Sequence, residues 1–240
     1  MTNNILKEVK ESLAVLSIPE KAAFFPKFFK TGKGEYGEGD LFLGVKVPDQ
    51  RLVAKEYYSK INLKELSELI ASAYHEHRLT ALLMLIYKFE KTKEINVKEE
   101  IIEFYLNHLQ YINNWDLVDT SCYKILGRYA FENQKESLLR TLSHSDLMWH
   151  KRIAVVGTMF YIKKGSFELT KEFVTQNLFH PHDLMHKANG WLLREMGNKN
   201  EAELIAYLNQ YYKQMPRTCL RYAIEKLDEQ LRQDYLKGRI

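Results

Sequence analysis

Apolar residues recur at steps of three and four through most of the chain. "ILKEVKESLAVL", "LKELSELIASAY", "LTALLMLIYKFEK" and "KEEIIEFYLNHLQYI" each gather them on one face, the pattern of amphipathic helices that bury one side. No segment alternates as a half-buried strand would. Pro19, Pro48, Pro181 and Pro216 stand near expected helix starts, where a missing N–H costs nothing. The pattern predicts an all-α fold.

The helices recur in pairs. "DLMWHKRIAVVGTM" and "DLMHKANGWLLREM" begin 37 residues apart. Both are polar first and apolar afterwards. "NWDLVDTSCYKILGRY" before them and "MPRTCLRYAIEKL" after them follow the same scheme. That spacing lies in the range of helical-pair repeats that stack into a curved solenoid. We read the repeats as HEAT-like. No linker divides the chain, so residues 1–240 are expected to form one domain.

One segment breaks the rhythm. "KTGKGEYGEGDLFLG" holds five of the eleven glycines, including Gly32-x-Gly34-x-x-Gly37. The spacing is formally that of a dinucleotide fingerprint, but "PEKAAFFPKFFK" before it reads as a helix and no βαβ unit follows. A flexible surface loop is expected instead.

Composition narrows the class. Of 240 residues 45% are hydrophobic, enough for a sizeable core. Lys and Arg number 35 against 31 acidic residues, a mild excess that permits a nucleic-acid partner without demanding one. Cys122 and Cys219 stand far apart in no metal-type spacing, which suits a reduced, cytoplasmic protein. The charged N-terminus resembles neither a signal peptide nor a membrane span, and no cofactor motif is visible.

Four clusters carry candidate chemistry. In "NNWDLVDTS", Asn113 or Asn114 serves as a helix cap and Asp116 suits the helix dipole. Asp119 lies four residues after Trp115, so the two share a face. The alternative is a core tryptophan with a solvated aspartate. In "HKANGWLLRE", Lys187, Trp191 and Arg194 share a face. Gly190 there admits either helix packing or the approach of something large. In "WHKRIAV", Arg152 suits a carboxylate or phosphate partner. Arg217 and Arg221, after Pro216, suit successive phosphates or a solvated face. Lys46 joins this set of candidate phosphate contacts. His180, His182 and His186 lack the partners that would complete a zinc shell, so no metal is expected. Asp183 is read as a helix cap.

"NNWDLVD", "HKANGWLLREMG" and "PRTCLRYAIEKL" together resemble the signature segments of the DNA alkylation repair family, the AlkD-type glycosylases. "FLGVKVPDQRLVAKEY" resembles that family's N-terminal helix junction, and the likeness runs from about residue 20 to residue 228. It implies a C-shaped solenoid of HEAT-like repeats that cradles DNA. It implies excision of cationic N3- and N7-alkylated purines without flipping the damaged base into a pocket. The catalytic carboxylate falls on Asp119, the lesion-flanking indoles on Trp115 and Trp191, and a supporting arginine on Arg152. Phosphate contacts fall on Lys187 and Arg194. The glycine-rich "TGKGEYGEGD" departs from the tyrosine-bearing helical stretch of the best-studied members.

The expected partner is duplex DNA bearing alkylated purines, with no membrane. The protein is expected to be a monomer, cytoplasmic and nucleoid-associated when bound. A non-catalytic binder of distorted or branched DNA on the same scaffold is the first alternative. A protein-binding helical scaffold is the second.

Overall fold

The computed structural model describes residues 4–240, and the described residues are all-helical, with one isolated bridge between Leu41 and Tyr74. The chain divides into two compact units, Met1–Ser121 and Cys122–Ile240.

The first unit holds α1 (Ile5–Val15), α2 (Pro19–Phe28), α3 (Val47–Tyr57), α4 (Leu63–Ile70), α5 (His75–Lys91), α6 (Ile95–Asn107) and α7 (Trp115–Ser121). Helix α5 is its axis, packed against α3, α4, α6 and α7. That explains its sequence: "LTALLMLI" is apolar all round because every face from Leu79 to Ile86 is buried. Helix α4 shows the opposite case. Its apolar residues lie on one side, and Leu66, Leu69 and Ile70 are buried there. Its start is fixed by Asn62 and Glu65, which cap each other's backbone N–H groups. In α2 no residue is fully buried, and Pro26 lies inside the helix.

The second unit runs from a π-turn at Tyr123–Gly127 through α8 (Arg128–Glu132), α9 (Ser137–Ser143), α10 (Met148–Gly157), α11 (Met159–Lys163) and α12 (Glu168–Gln176). It continues with α13 (Asp183–Lys199), α14 (Glu201–Tyr211), α15 (Arg217–Ala223) and α16 (Glu229–Lys237). Helix α13 is the axis here, against α10, α11, α12, α14 and α15. Its N-cap corrects the sequence reading. His182, not Asp183, caps the helix: its Nδ1 accepts the Leu184 N–H at 3.1 Å. Asp183 occupies the first helical position, where its charge suits the dipole. Both cysteines are buried and neither is in a disulfide, and burial pushes the Cys219 thiol up to about 12.

The glycine-rich segment is an organised turn system. Glu35 accepts the Gly32 N–H at 2.8 Å and Glu38 accepts that of Gly34 at 2.7 Å. Gly44 closes the segment at φ +83°, where a Cβ would lie 2.2 Å from the Ile18 carbonyl. Only glycine combines that backbone with that approach. The segment thus owes its glycines to chain geometry, in place of the flexibility expected from composition.

Gly190 decides between its two readings in favour of helix packing. A Cβ there would stand 2.4 Å from the Cys219 carbonyl and 2.5 Å from Cβ of Tyr222, both on α15. Gly190→Ala gains about 1 kcal/mol of helix propensity but forces two backbones apart, at a cost of about 1–3 kcal/mol. The net expectation is a lower melting temperature. A Gly190→Ala protein that melts at or above the parental temperature would contradict this packing.

Candidate functional site

The first turn of α7 is built by the residues around it. The Asn114 carboxamide accepts the Trp115 N–H at 2.8 Å, and its carbonyl takes the Val118 N–H at 3.1 Å. Asn113 is drawn elsewhere, accepting from the Arg78 guanidinium at 2.8 Å. Trp115 and Asp119 follow at helical spacing, both half-buried. One face of the Trp115 indole stacks on Phe29, with centroids 5.7 Å apart and planes at 21°. Phe28 meets it edge-on at 6.0 Å. Trp115 is therefore neither a sealed core residue nor a free platform. One side is bonded into an aromatic layer and the residue keeps partial exposure.

Beneath this layer lies a buried ionic chain that the periodicity did not predict. His75, at the head of α5, is 2% exposed. Its Nδ1 reaches Asp40 at 3.0 Å and its Nε2 reaches Asp116 at 2.7 Å. Arg78, one turn on, bonds the same Asp40 oxygen. Asp116 therefore does more than complement the helix dipole. Burial alone would lower the His75 pKa. The Asp116 charge and hydrogen bonds to Asp116 and Asp40 outweigh it, against an opposing push from Arg78, and raise the group from 6.5 to about 9. The imidazolium lies 4.6 Å from the Phe29 ring and 5.2 Å from Phe42, within reach of cation–π attraction. Two carboxylates, one guanidinium and one imidazolium sum to zero, which is how four charges remain buried.

A cavity of about 330 Å³ opens beside Trp115, walled by Phe25, Phe28, Phe29, Phe42 and Val47. Its polar neighbours are largely spoken for. Both Glu76 oxygens take the Leu43 and Gly44 N–H groups. Gln50 donates to the Val45 carbonyl and accepts from Thr80. Asp116 divides its oxygens between His75 and its own helix, where the Leu117 N–H donates to it.

A family model for the DNA alkylation repair enzyme matches residues 9–227. The chain belongs to the DNA alkylation repair family. Among solved structures it is similar to the predicted DNA alkylation repair enzyme from Enterococcus faecalis. The two are 16% identical, with 89% of this chain and 97% of that one covered and a TM-score of 0.68. At that identity the likeness is one of fold. No curated protein matches the chain in sequence.

In the second unit several of the candidate cations already have partners. Lys187 pairs with Asp183 at 2.7 Å, and Arg194 bonds Glu225. The Trp191 indole, half-buried, donates to Glu195 at 3.2 Å. Arg152 is 4% exposed and donates to the Leu184 carbonyl. Arg217 is exposed and donates to the Leu236 carbonyl at 2.8 Å, and Arg221 and Lys46 are exposed. In the histidine cluster, His186 donates to the His180 carbonyl at 2.6 Å, and burial lowers the pKa of His180 and His182. Among the described residues no group of three or more His, Cys, Asp or Glu is placed to hold a metal ion. No described helix is long and apolar enough to cross a membrane.

Sequence reasoning missed Asp40, His75 and Arg78. A signal was present: "HEHR" puts four polar residues directly at the head of an apolar helix, and all four are buried. Because the His75 pKa is raised from 6.5 to about 9 in the folded state, its contribution is complete below about pH 6.5 and is lost as pH rises through about 9. The loss is on the order of 3 kcal/mol. Urea unfolding at pH 6 and pH 9.5 should show the difference in the parental protein and a much smaller one in His75→Gln. Equal pH dependence in both would refute the assignment.

Proposed function

We propose that this protein is a DNA glycosylase that removes cationic N3- and N7-alkylated purines from duplex DNA without drawing the damaged base into an enclosed pocket. The observation that carries this reading is the turn of α7. It sets an indole and a carboxylate four residues apart, both half-buried, in a member of the DNA alkylation repair family.

An alkylated purine carries a positive charge, which weakens its glycosidic bond. As the bond breaks, its electron pair leaves with the base, which becomes neutral, and positive charge develops on the deoxyribose. A carboxylate at Asp119 stabilises that charge and orients the water that attacks the sugar. No strong general acid is needed. The indole faces of Trp115 and Trp191 attract the cationic nucleotide, each contact contributing about 0.5–2 kcal/mol. The family resemblance assigns Arg152 a supporting role in this scheme. Lys46, Lys187, Arg194, Arg217 and Arg221 contact phosphates.

The cavity beside Trp115 fits this reading. Enzymes that extrude a base read its edge with hydrogen bonds. Here Glu76, Gln50, His75 and Asp116 are already engaged, so a buried base edge would find few partners.

Two measurements test the proposal. Asn keeps the shape of Asp119 without its charge, so Asp119→Asn should slow single-turnover release of 7-methylguanine by about 100- to 1,000-fold and spare equilibrium DNA binding. Parental-rate excision by that variant would remove Asp119 from the chemistry. A parental protein that binds DNA and releases no base would be a non-catalytic binder.

Phosphate contact by arginine also makes affinity depend on salt. Each lost contact should flatten the log–log salt slope by about one unit. Arg217→Ala with Arg221→Ala should therefore flatten it by about two. An unchanged slope would take both residues out of the interface.

A further inference from the structure

His75 lies outside the proposed chemistry, yet everything around it leads to the α7 turn. It is held at both ring nitrogens by carboxylates from two different parts of the chain. Asp40 ends the glycine-rich turn system, and Asp116 is the residue between Trp115 and the rest of α7. Its ring also lies against Phe29, which in turn stacks on the Trp115 indole. Two routes therefore run from one imidazole to Trp115. One is ionic, through Asp116 and the backbone. The other is aromatic, through Phe29.

We propose that His75 is a positioning residue, which ties the glycine-rich segment to the first turn of α7 and sets the angle at which Trp115 is presented. The inference rests on the glycosylase reading for its consequence in rate, but the geometry it invokes lies wholly within the first unit.

Both ring nitrogens must carry protons to donate to two carboxylates. A neutral ring can donate only once, so one grip is released when the proton leaves. The charged groups facing the ring are Asp40, Asp116 and, from its own helix, Arg78. Glu76 turns its carboxylate to Leu43 and Gly44 instead. Deprotonation leaves two carboxylates against Arg78 alone. Asp116 then has no cationic partner among these groups, and the hold of α5 on the α7 turn is weakened to what one neutral hydrogen bond and the Arg78–Asn113 contact supply.

A purely structural histidine and a positioning one differ in what they move. The first lowers melting temperature and leaves the rate of a folded enzyme unchanged. The second alters the rate, because small displacements of a group beside the reacting centre cost on the order of 10- to 100-fold.

The test has two arms. In the first, single-turnover release of 7-methylguanine is compared between the parental protein and His75→Gln, well below either melting temperature. The ratio of the two rates is taken across pH 7 to 9.5, so that titration of the lesion itself cancels. We expect a ratio of about 10 or more at pH 7, falling toward one as pH passes about 9, with DNA affinity unchanged. A ratio of one throughout, or one that does not vary with pH, overturns the proposal.

The second arm needs no catalysis. In a Trp149→Phe, Trp191→Phe protein, Trp115 is the single indole. Its emission should titrate with a midpoint near 9 and lose that transition when His75→Gln is added. Emission that stays flat between pH 7 and 9.5 would overturn the proposal. If the parental protein releases no base, the glycosylase reading falls and this arm alone decides the role of His75.

Discussion

A charge taken out of water must be paired, and the first unit is organised by that requirement. His75, Arg78 and Asp40 are nearly sealed, and Asp116 is mostly so. None of the four tolerates burial alone, because an unpaired ion in a protein interior costs several kcal/mol. Together they balance, and balance demands position. Asp40 has to arrive from the glycine-rich segment, Asp116 from α7, and the two cations from adjacent turns of α5. The polar head of an otherwise apolar helix is a consequence of one buried chain of ion pairs.

That chain explains why an aromatic layer can form above it. Phe29 and Phe42 lie nearly parallel, 5.3 Å apart, with the imidazolium against both. A cation against ring faces is attracted by their quadrupoles, so the layer and the ionic chain support one another. Trp115 extends the layer toward solvent. An indole with one face so occupied has little rotamer freedom left to lose on binding. Preorganisation of that kind suits the role proposed for Trp115, attraction of a cationic nucleotide.

The fold class was legible because it depends on local period. Three- and four-residue spacing survives any tertiary arrangement, and α4 and α5 follow it. Trp115 and Asp119 were legible for the same reason, since an i, i+4 pair is fixed by the helix alone. The ionic chain was not. Asp40 and Asp116 lie 35 and 41 residues from His75, and in sequence a charged residue is most simply read as solvated. Near misses have equally local causes. His182 took the cap from Asp183 because an imidazole nitrogen can accept the backbone N–H that a carboxylate would otherwise take. Gly190 was noticed for its cost, but only the position of α15 shows what it makes room for.

The same blindness to distant partners bears on the basic residues. In sequence, Lys187 and Arg194 form a positive stripe with Trp191 between them. In the folded chain Asp183, Glu195 and Glu225 are set against that stripe. A cation already neutralised by a carboxylate has less field to offer a phosphate. It exchanges one anion for another, so the net release of counterions from DNA is smaller than a count of lysines and arginines suggests. On the proposed reading its value would lie in geometry instead, because the carboxylate holds the side chain in place. Arg217 and Arg221, exposed on a helix with no acidic residue in its first turn, keep more of their field. On the proposed reading, electrostatic attraction of a polyanion would therefore fall chiefly to α15, and orientation of what has arrived to α13.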